Sequence, residues 1–216
     1  VYSSDGEIDH LIVQMNTDGQ VEDVYEIKGI GQSTVYNLSC LGQNLLVQGR
    51  FNGVLNYSGN VFGASGENQF RSYQLFLDLT GNLLWQTLSS LHDVGTNLIQ
   101  ERSEQFGEQI ISVGQYGSSA ISYSGMTISN FGGVDGYLSS QSIVDGTFNW
   151  LKGFGAAGND YLTSIHSYAD DLLVSGTYSS NEVIFEGGQF QNQFEGIQQP
   201  LLFLVDTAGK HVCSKT

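Results

Sequence analysis

The sequence predicts an all-β fold, and three observations carry that prediction. Glycine supplies 28 of 216 residues against one proline, Pro200, a composition suited to many tight turns between short strands. Apolar-rich stretches alternate with Gly, Asn and Asp turns along the chain. A sustained apolar stripe at helical spacing, with caps, is missing.

The strands also recur. Leu75-Phe76-Leu77-Asp78-Leu79-Thr80-Gly81 returns as Leu202-Phe203-Leu204-Val205-Asp206-Thr207-Ala208-Gly209, with weaker copies from Leu11 to Gly19 and from Ser140 to Gly146. The turn glycines Gly19, Gly81, Gly146 and Gly209 stand 62, 65 and 63 residues apart. Val47-Gln48-Gly49-Arg50-Phe51 matches the segments around Gly114 (Val113 to Tyr116) and Gly176 (Val174 to Tyr178), and Asn56-Tyr57-Ser58-Gly59 matches Ser122 to Gly125 and Ile184 to Gly187. Landmarks in constant order at a fixed step indicate a repeat architecture. Approximate units are 1–66, 67–131, 132–196 and a partial 197–216.

Taken in order, the chain opens with a strand pair, Leu11–Met15 and Val21–Ile27. The unit from about Asn68 to Ser129 shows the pattern best. Tyr73 to Leu79 is a strand, Thr80-Gly81-Asn82 a turn that tolerates positive φ, and Leu83 to Leu88 the return. A less regular strand near Asn97 to Glu101 precedes Gln109 to Tyr116, and a short extra hairpin, Ala120 to Ile128, turns at Ser124-Gly125. The chain closes on Lys210–Ser214. A four-stranded antiparallel unit cannot bury both faces alone, and stacking copies about an axis, as a β-propeller does, buries them. The strand total is fourteen, or about three and a half blades, with the opening outer pair lacking its inner pair. The chain is therefore expected to be a fragment or one part of a larger ring, since an open inner edge invites aggregation. Four residues past each turn glycine stand Asp23, Trp85, Trp150 and Cys213. Trp85 and Trp150 are expected to pack blade on blade, with a sugar-stacking surface as the alternative. Gly49, Gly114 and Gly176 are expected to be structural.

Seven Lys and Arg against 22 Asp and Glu give a net charge of −15, which repels phosphate backbones and anionic lipid. Nucleic-acid and membrane-surface partners are not expected, and no run of about 18 apolar residues offers a membrane span. The chain begins at Val1 with no leader pattern, so either a signal has been removed or this is a piece of a longer protein. Cys40 and Cys213 admit one disulfide in an oxidising compartment, or two buried small hydrophobes, the reading slightly favoured.

Gly153-Phe154-Gly155-Ala156-Ala157-Gly158-Asn159-Asp160-Tyr161, then a strand, then Asp171-Leu172-Leu173-Val174-Ser175-Gly176-Thr177-Tyr178, resembles the bacterial β-propeller repeat often called the SBBP repeat. Asp78-Leu79-Thr80-Gly81-Asn82-Leu83-Leu84-Trp85 is similar to that family's Asp-x-x-Gly-Asn-x-x-Trp phrase, and Asn56-Tyr57-Ser58-Gly59 to its Asp-Phe-Gly-Gly segment. The likeness covers nearly the whole chain. It implies a propeller within a large exported or cell-surface protein and brings no catalytic residues. Asp23, where Trp is expected, and the irregular 92–106 stretch depart from the pattern.

Motifs that carry chemistry are few. Gly153-x-Gly155-x-x-Gly158 spells the dinucleotide fingerprint, but a strand rather than a helix follows, so it reads as a connection. His10, His92, His166 and His211 form no zinc-protease spacing, and no Gly-x-Ser-x-Gly elbow occurs. Asp5, Glu7 and Asp9 alternate as a calcium loop can begin, but the rest of that loop is not evident and a solvated acidic terminus is the better reading. Asp135 and Asp160 are expected to hold turns. No cofactor is expected apart from that calcium candidate. The first expectation for function is an exported binding or structural module whose partner is a protein, a glycan or further blades from another chain. An enzyme with a channel site around Gln100, Glu101 and His166 is the second, and a subunit of a larger surface filament or secretion machine the third.

Overall fold

A computed structural model describes residues 9–64, 69–90, 102–194 and 196–215. Among the described residues the chain is all-β with no helix, as its turns and strand lengths predict; its twenty strands exceed the expected fourteen by the three short hairpins. The expected strand near Asn97–Glu101 lies outside the described residues.

Four open sheets of four antiparallel strands form. Sheet II takes β3 (Ser33–Leu41), β4 (Asn44–Phe51), β7 (Arg71–Asp78) and β8 (Leu83–Leu88) in that order. Sheet III repeats the order with β9 (Arg102–Phe106), β10 (Gln109–Tyr116), β13 (Asp135–Ser142) and β14 (Phe148–Phe154). Sheet IV does so again with β15 (Asp160–Tyr168), β16 (Asp171–Tyr178), β19 (Gln199–Val205) and β20 (His211–Lys215). Sheet I differs. It joins β1 (His10–Met15) and β2 (Val21–Ile30) to the hairpin β5 (Val54–Tyr57) and β6 (Asn60–Gly63), with Ile27 opposite Tyr57 and Ile30 opposite Val54.

That hairpin belongs in sequence to sheet II, between its second and third strands, so it reaches back to the preceding sheet. The hairpins β11 (Ala120–Tyr123)–β12 (Met126–Ser129) and β17 (Glu182–Phe185)–β18 (Gly188–Gln191) occupy the same place in sheets III and IV. A single bridge, Ser89 to Tyr123, ties β11 back to the end of sheet II. Each hairpin turns on two residues of positive φ: Ser58 and Gly59 (50° and 85°), Ser124 and Gly125 (48° and 83°), Glu186 and Gly187 (48° and 89°). Both central residues left-handed is the turn that matches strand twist. Tyr116 Oη donates to the Ser129 carbonyl and Tyr178 Oη to the Gln191 carbonyl, each at 2.9 Å, fastening the end of the hairpin to its parent strand. Phe51 holds that position in sheet II.

Apolar clusters lie between consecutive sheets. Ile12, Ile27, Val47, Tyr73, Leu75 and Leu77 join I to II; Leu41, Leu46, Phe76, Trp85 and Ile110 join II to III; Val113, Leu138, Leu162, Val174 and Phe203 are among those joining III to IV. The third strand of a sandwiched sheet is buried on both faces, so six consecutive residues of β7 and seven of β13 are buried. Gly49 and Gly176 stand opposite bulges in the first strand, where a Cβ would come within 2.1 Å of the Thr34 carbonyl and 1.9 Å of the Tyr161 carbonyl. Gly114 is buried opposite Tyr137.

The β1–β2, β7–β8 and β19–β20 loops share one chemistry, whereas in the β13–β14 loop Ser142 Oγ accepts the Val144 amide at 3.2 Å and Asp145 Oδ1 the Thr147 amide at 3.0 Å. Asp78 Oδ1 accepts the Thr80 and Asn82 amides at 2.8 and 2.9 Å, Asp206 Oδ1 accepts Ala208 and Lys210, and Asn16 Oδ1 accepts Asp18 and Gln20. Such side-chain turns are what Asn and Asp supply at a first loop position. A bulge follows at Gln14/Met15, Phe76/Leu77, Ser140/Gln141 and Leu204/Val205, which sets Asp23, Trp85, Trp150 and Cys213 in equivalent register.

Both tryptophans lie against the loop of the next sheet. Trp85 Nε1 donates to Ile143 O at 2.9 Å and Trp150 Nε1 to Thr207 O at 3.1 Å. Asp23 makes no such contact among the described residues. Tyr25, two residues on and therefore on the same strand face, takes the role at the first junction: its Oη donates to Leu79 O at 3.1 Å. Gly81, Gly146 and Gly209 (φ +77°, +71° and +71°) lie under these rings, and a Cβ there would approach Tyr25, Trp85 and Trp150 to 2.2, 2.6 and 2.9 Å.

Cys40 and Cys213 sit in different sheets, II and IV, as free thiols at the surface. The expectation of two buried hydrophobes therefore gives way: both project from strand positions that face solvent.

Candidate functional site

The first junction carries a polar groove of about 440 Å³, lined by Val24 to Glu26 and Lys28 of β2, by Asn56 to Gly59 at the hairpin tip, and by Thr80 to Asn82 of the β7–β8 loop. Three segments remote in sequence meet there because β5 pairs with β2 while the Asp78 loop packs under Tyr25.

Tyr25 covers Gly81 and also stands 3.2 Å from the Gln14 amide oxygen. Tyr57 is buried and donates to Gly81 O at 2.6 Å. Burial, then the nearby Tyr25 and Asp78, pushes the Tyr57 phenol up to about 12, so it is a donor at neutral pH. Burial, with Asp23 and Asp78, also raises Tyr25. Hydrogen bonds from Asn82 and Thr80 hold Asp78 down at about 2, so the loop is charged and ordered over the whole physiological range. Lys28 Nζ lies 3.3 Å from Glu26 Oε2 on its own strand. The groove thus offers hydroxyls, amides, a neutral phenol and one internally balanced ion pair.

The third junction closes the same place. Glu186 holds the tip position of Ser58, and Lys152 crosses from β14 to meet it at 2.7 Å, with Lys152 Nζ also 5.6 Å from the Trp150 ring centroid. Trp85 is buried, and Trp150 is half-buried beneath that lysine, so their geometry is that of packing against the next sheet.

The remaining sequence candidates fall as follows. Asp5, Glu7, His92, Gln100 and Glu101 lie outside the described residues. Asp9 Oδ1 accepts the Gly29 amide at 3.1 Å. His166 Nδ1 is 3.5 Å from Glu104 Oε1 of the neighbouring sheet, an oxygen that also accepts the Ser167 hydroxyl at 2.9 Å. Sequence reasoning missed Glu104, which sits within the irregular 92–106 stretch, where the repeat gives no signal. His10 Nε2 lies 2.8 Å from the buried Ser33 Oγ. Asp160 accepts Ser179 and Ser180 amides, the Ser180 hydroxyl and the Ala156 amide, and so holds the Gly153–Gly158 connection against the next loop. A strand, β15, follows that connection, as expected for a turn and not a nucleotide loop. Asp135 Oδ2 accepts the Phe131 amide, while its buried Oδ1 has no hydrogen-bond partner among the described residues. Among the described residues no group of three or more His, Cys, Asp or Glu is placed to hold a metal.

Set against family models and curated proteins, the chain matches none of either.

Proposed function

We propose that this chain is a segment of an exported β-propeller that binds a neutral glycan non-catalytically in the Tyr25 groove. The carrying observation is the groove's lining: Tyr25, Glu26, Lys28, Asn56, Thr80 and Asn82 combine a ring with closely set donors and acceptors. Hydroxyl-rich ligands are recognised by that combination, an aromatic surface with a few convergent polar groups in a hollow of some hundreds of Å³. Pairing of Lys28 with Glu26 favours an uncharged ligand, because neither charge is left over for a counter-ion on it. The propeller reading is supported by the recurring sheet order and by the apolar layer between each pair of consecutive sheets. Export is supported by the resemblance to repeats of exported bacterial proteins.

The test is a neutral-glycan array followed by titration calorimetry with the purified chain. Binding that weakens at least about tenfold in Glu26→Ala and Asn56→Ala, both folded by circular dichroism, is expected. No glycan bound, or hydrolytic or redox turnover of an added substrate, overturns the proposal.

A further inference from the structure

Sheet IV ends on a face that its counterpart in sheet II buries. By register, Tyr168, Leu173, Leu204 and Cys213 hold the places of Leu41, Leu46, Phe76 and Trp85. In sheet II those four are buried with Ile110 of sheet III. In sheet IV Tyr168 is 62% exposed and neighbouring Leu202 40%. The small Cys213, standing where a tryptophan stands in sheets II and III, leaves an apolar hollow of about 280 Å³ lined by Tyr168, Leu173, Leu202, Leu204 and itself.

Sheet I opens on the opposite kind of face. Leu11, Val13 and Met15 hold the places of Tyr73, Leu75 and Leu77 on β7 and of Leu201, Phe203 and Val205 on β19. Those six are buried, whereas Leu11, Val13 and Met15 are 49%, 46% and 55% exposed. Burial along β1 and β19 alternates, where β7 and β13 are buried on both sides.

We infer that these faces are the two halves of one interface and that its occupant is a second copy of this chain, docked head to tail. Every internal junction joins a face of the sheet IV type to one of the sheet I type, so the contact continues an interface the molecule already makes three times. The loop equivalent also waits open: Gly81, Gly146 and Gly209 lie beneath an aromatic ring, while no described residue lies within 4 Å of a Cβ at Gly19. Exposed apolar faces of this kind mark interaction sites, and a heterologous contact adds copies until a ring closes or a filament runs on. The inference does not depend on what the Tyr25 groove binds.

Light scattering and sedimentation of the full chain over a range of concentrations test it. Wild type is expected to grow beyond the dimer, and Val13→Glu and Leu204→Glu, each folded by circular dichroism, to stay monomeric alone. Mixed, the two variants retain one good face of each kind and are expected to form a one-to-one dimer that grows no further. A wild type that stays monomeric throughout, single variants that still self-associate, or a mixture that stays monomeric each overturns the inference.

Discussion

The indole of Trp85 covers Gly146, and its Nε1 donates to the carbonyl of Ile143, so one side chain both packs on and hydrogen-bonds the loop of the next sheet. The ring also stacks on Phe76 at 4.8 Å between centroids. Trp85→Ala removes the filling and leaves a carbonyl unpaired. We expect a loss of about 3–4 kcal/mol, by the usual cost of truncating a buried aromatic. Urea unfolding measures it; a loss below about 1 kcal/mol would show that the junction does not depend on this residue.

The four loop glycines separate backbone strain from packing. Gly19 and Gly146 share a left-handed conformation (φ +78° and +71°), but a Cβ at Gly19 meets no described residue within 4 Å, whereas one at Gly146 strikes Trp85. Gly19→Ala is expected to cost about 1 kcal/mol from conformation alone, and Gly146→Ala about 2 kcal/mol more. Equal losses in thermal melts would contradict the covering of Gly146.

Tyr116 and Tyr178 fasten their hairpins by one hydrogen bond each. Tyr116→Phe and Tyr178→Phe keep the ring and leave a carbonyl unpaired, so each is expected to cost about 1–2 kcal/mol, with faster amide exchange confined to β11–β12 or β17–β18. Phe51 shows that the ring alone fits this position.

Two carboxylates give stability opposite dependences on pH. Asp78 is held at about 2, below its unfolded value near 4, so its contribution is present above pH ~4 and fades as pH falls toward 2. Asp135 is raised to about 6, chiefly by burial and also by Asp160, against the Phe131 and Gly132 amides that lower it. Its contribution is full below pH ~4 and is lost as pH rises through about 6. Urea midpoints between pH 4 and 7 are expected to lose this slope in Asp135→Asn, and midpoints between pH 4 and 2 to lose theirs in Asp78→Ala. Unchanged slopes would remove these assignments.

Strand positions were legible because they depend on local chemistry: alternation along β16, the Asp78 and Asp206 loops, the Ser124-Gly125 turn. Pairing between units was not. That β5 adds to β2 is decided by tertiary packing, and nothing within Val54–Tyr57 encodes its partner. Tyr25 escaped notice because a fixed step from Gly19 lands on Asp23; an aromatic on the same strand face two residues later was the available signal. The groove was illegible, since its lining comes from 24–28, 56–59 and 80–82 at once. The open faces were partly foreshadowed by the unmatched opening pair, but which side chains they expose required the register.

Ser58, Ser124 and Glu186 each sit first in a left-handed pair at an exposed tip, and a Cβ on the following glycine meets no described residue within 4 Å. At Ser124-Gly125 the turn specifies backbone shape alone, and the anchoring falls to Tyr116 further down, whereas Ser58 lines the Tyr25 groove and Glu186 pairs with Lys152. A peptide epitope spliced in at the Ser124-Gly125 tip would leave the sheets undisturbed, which makes that tip a carrier for a grafted loop.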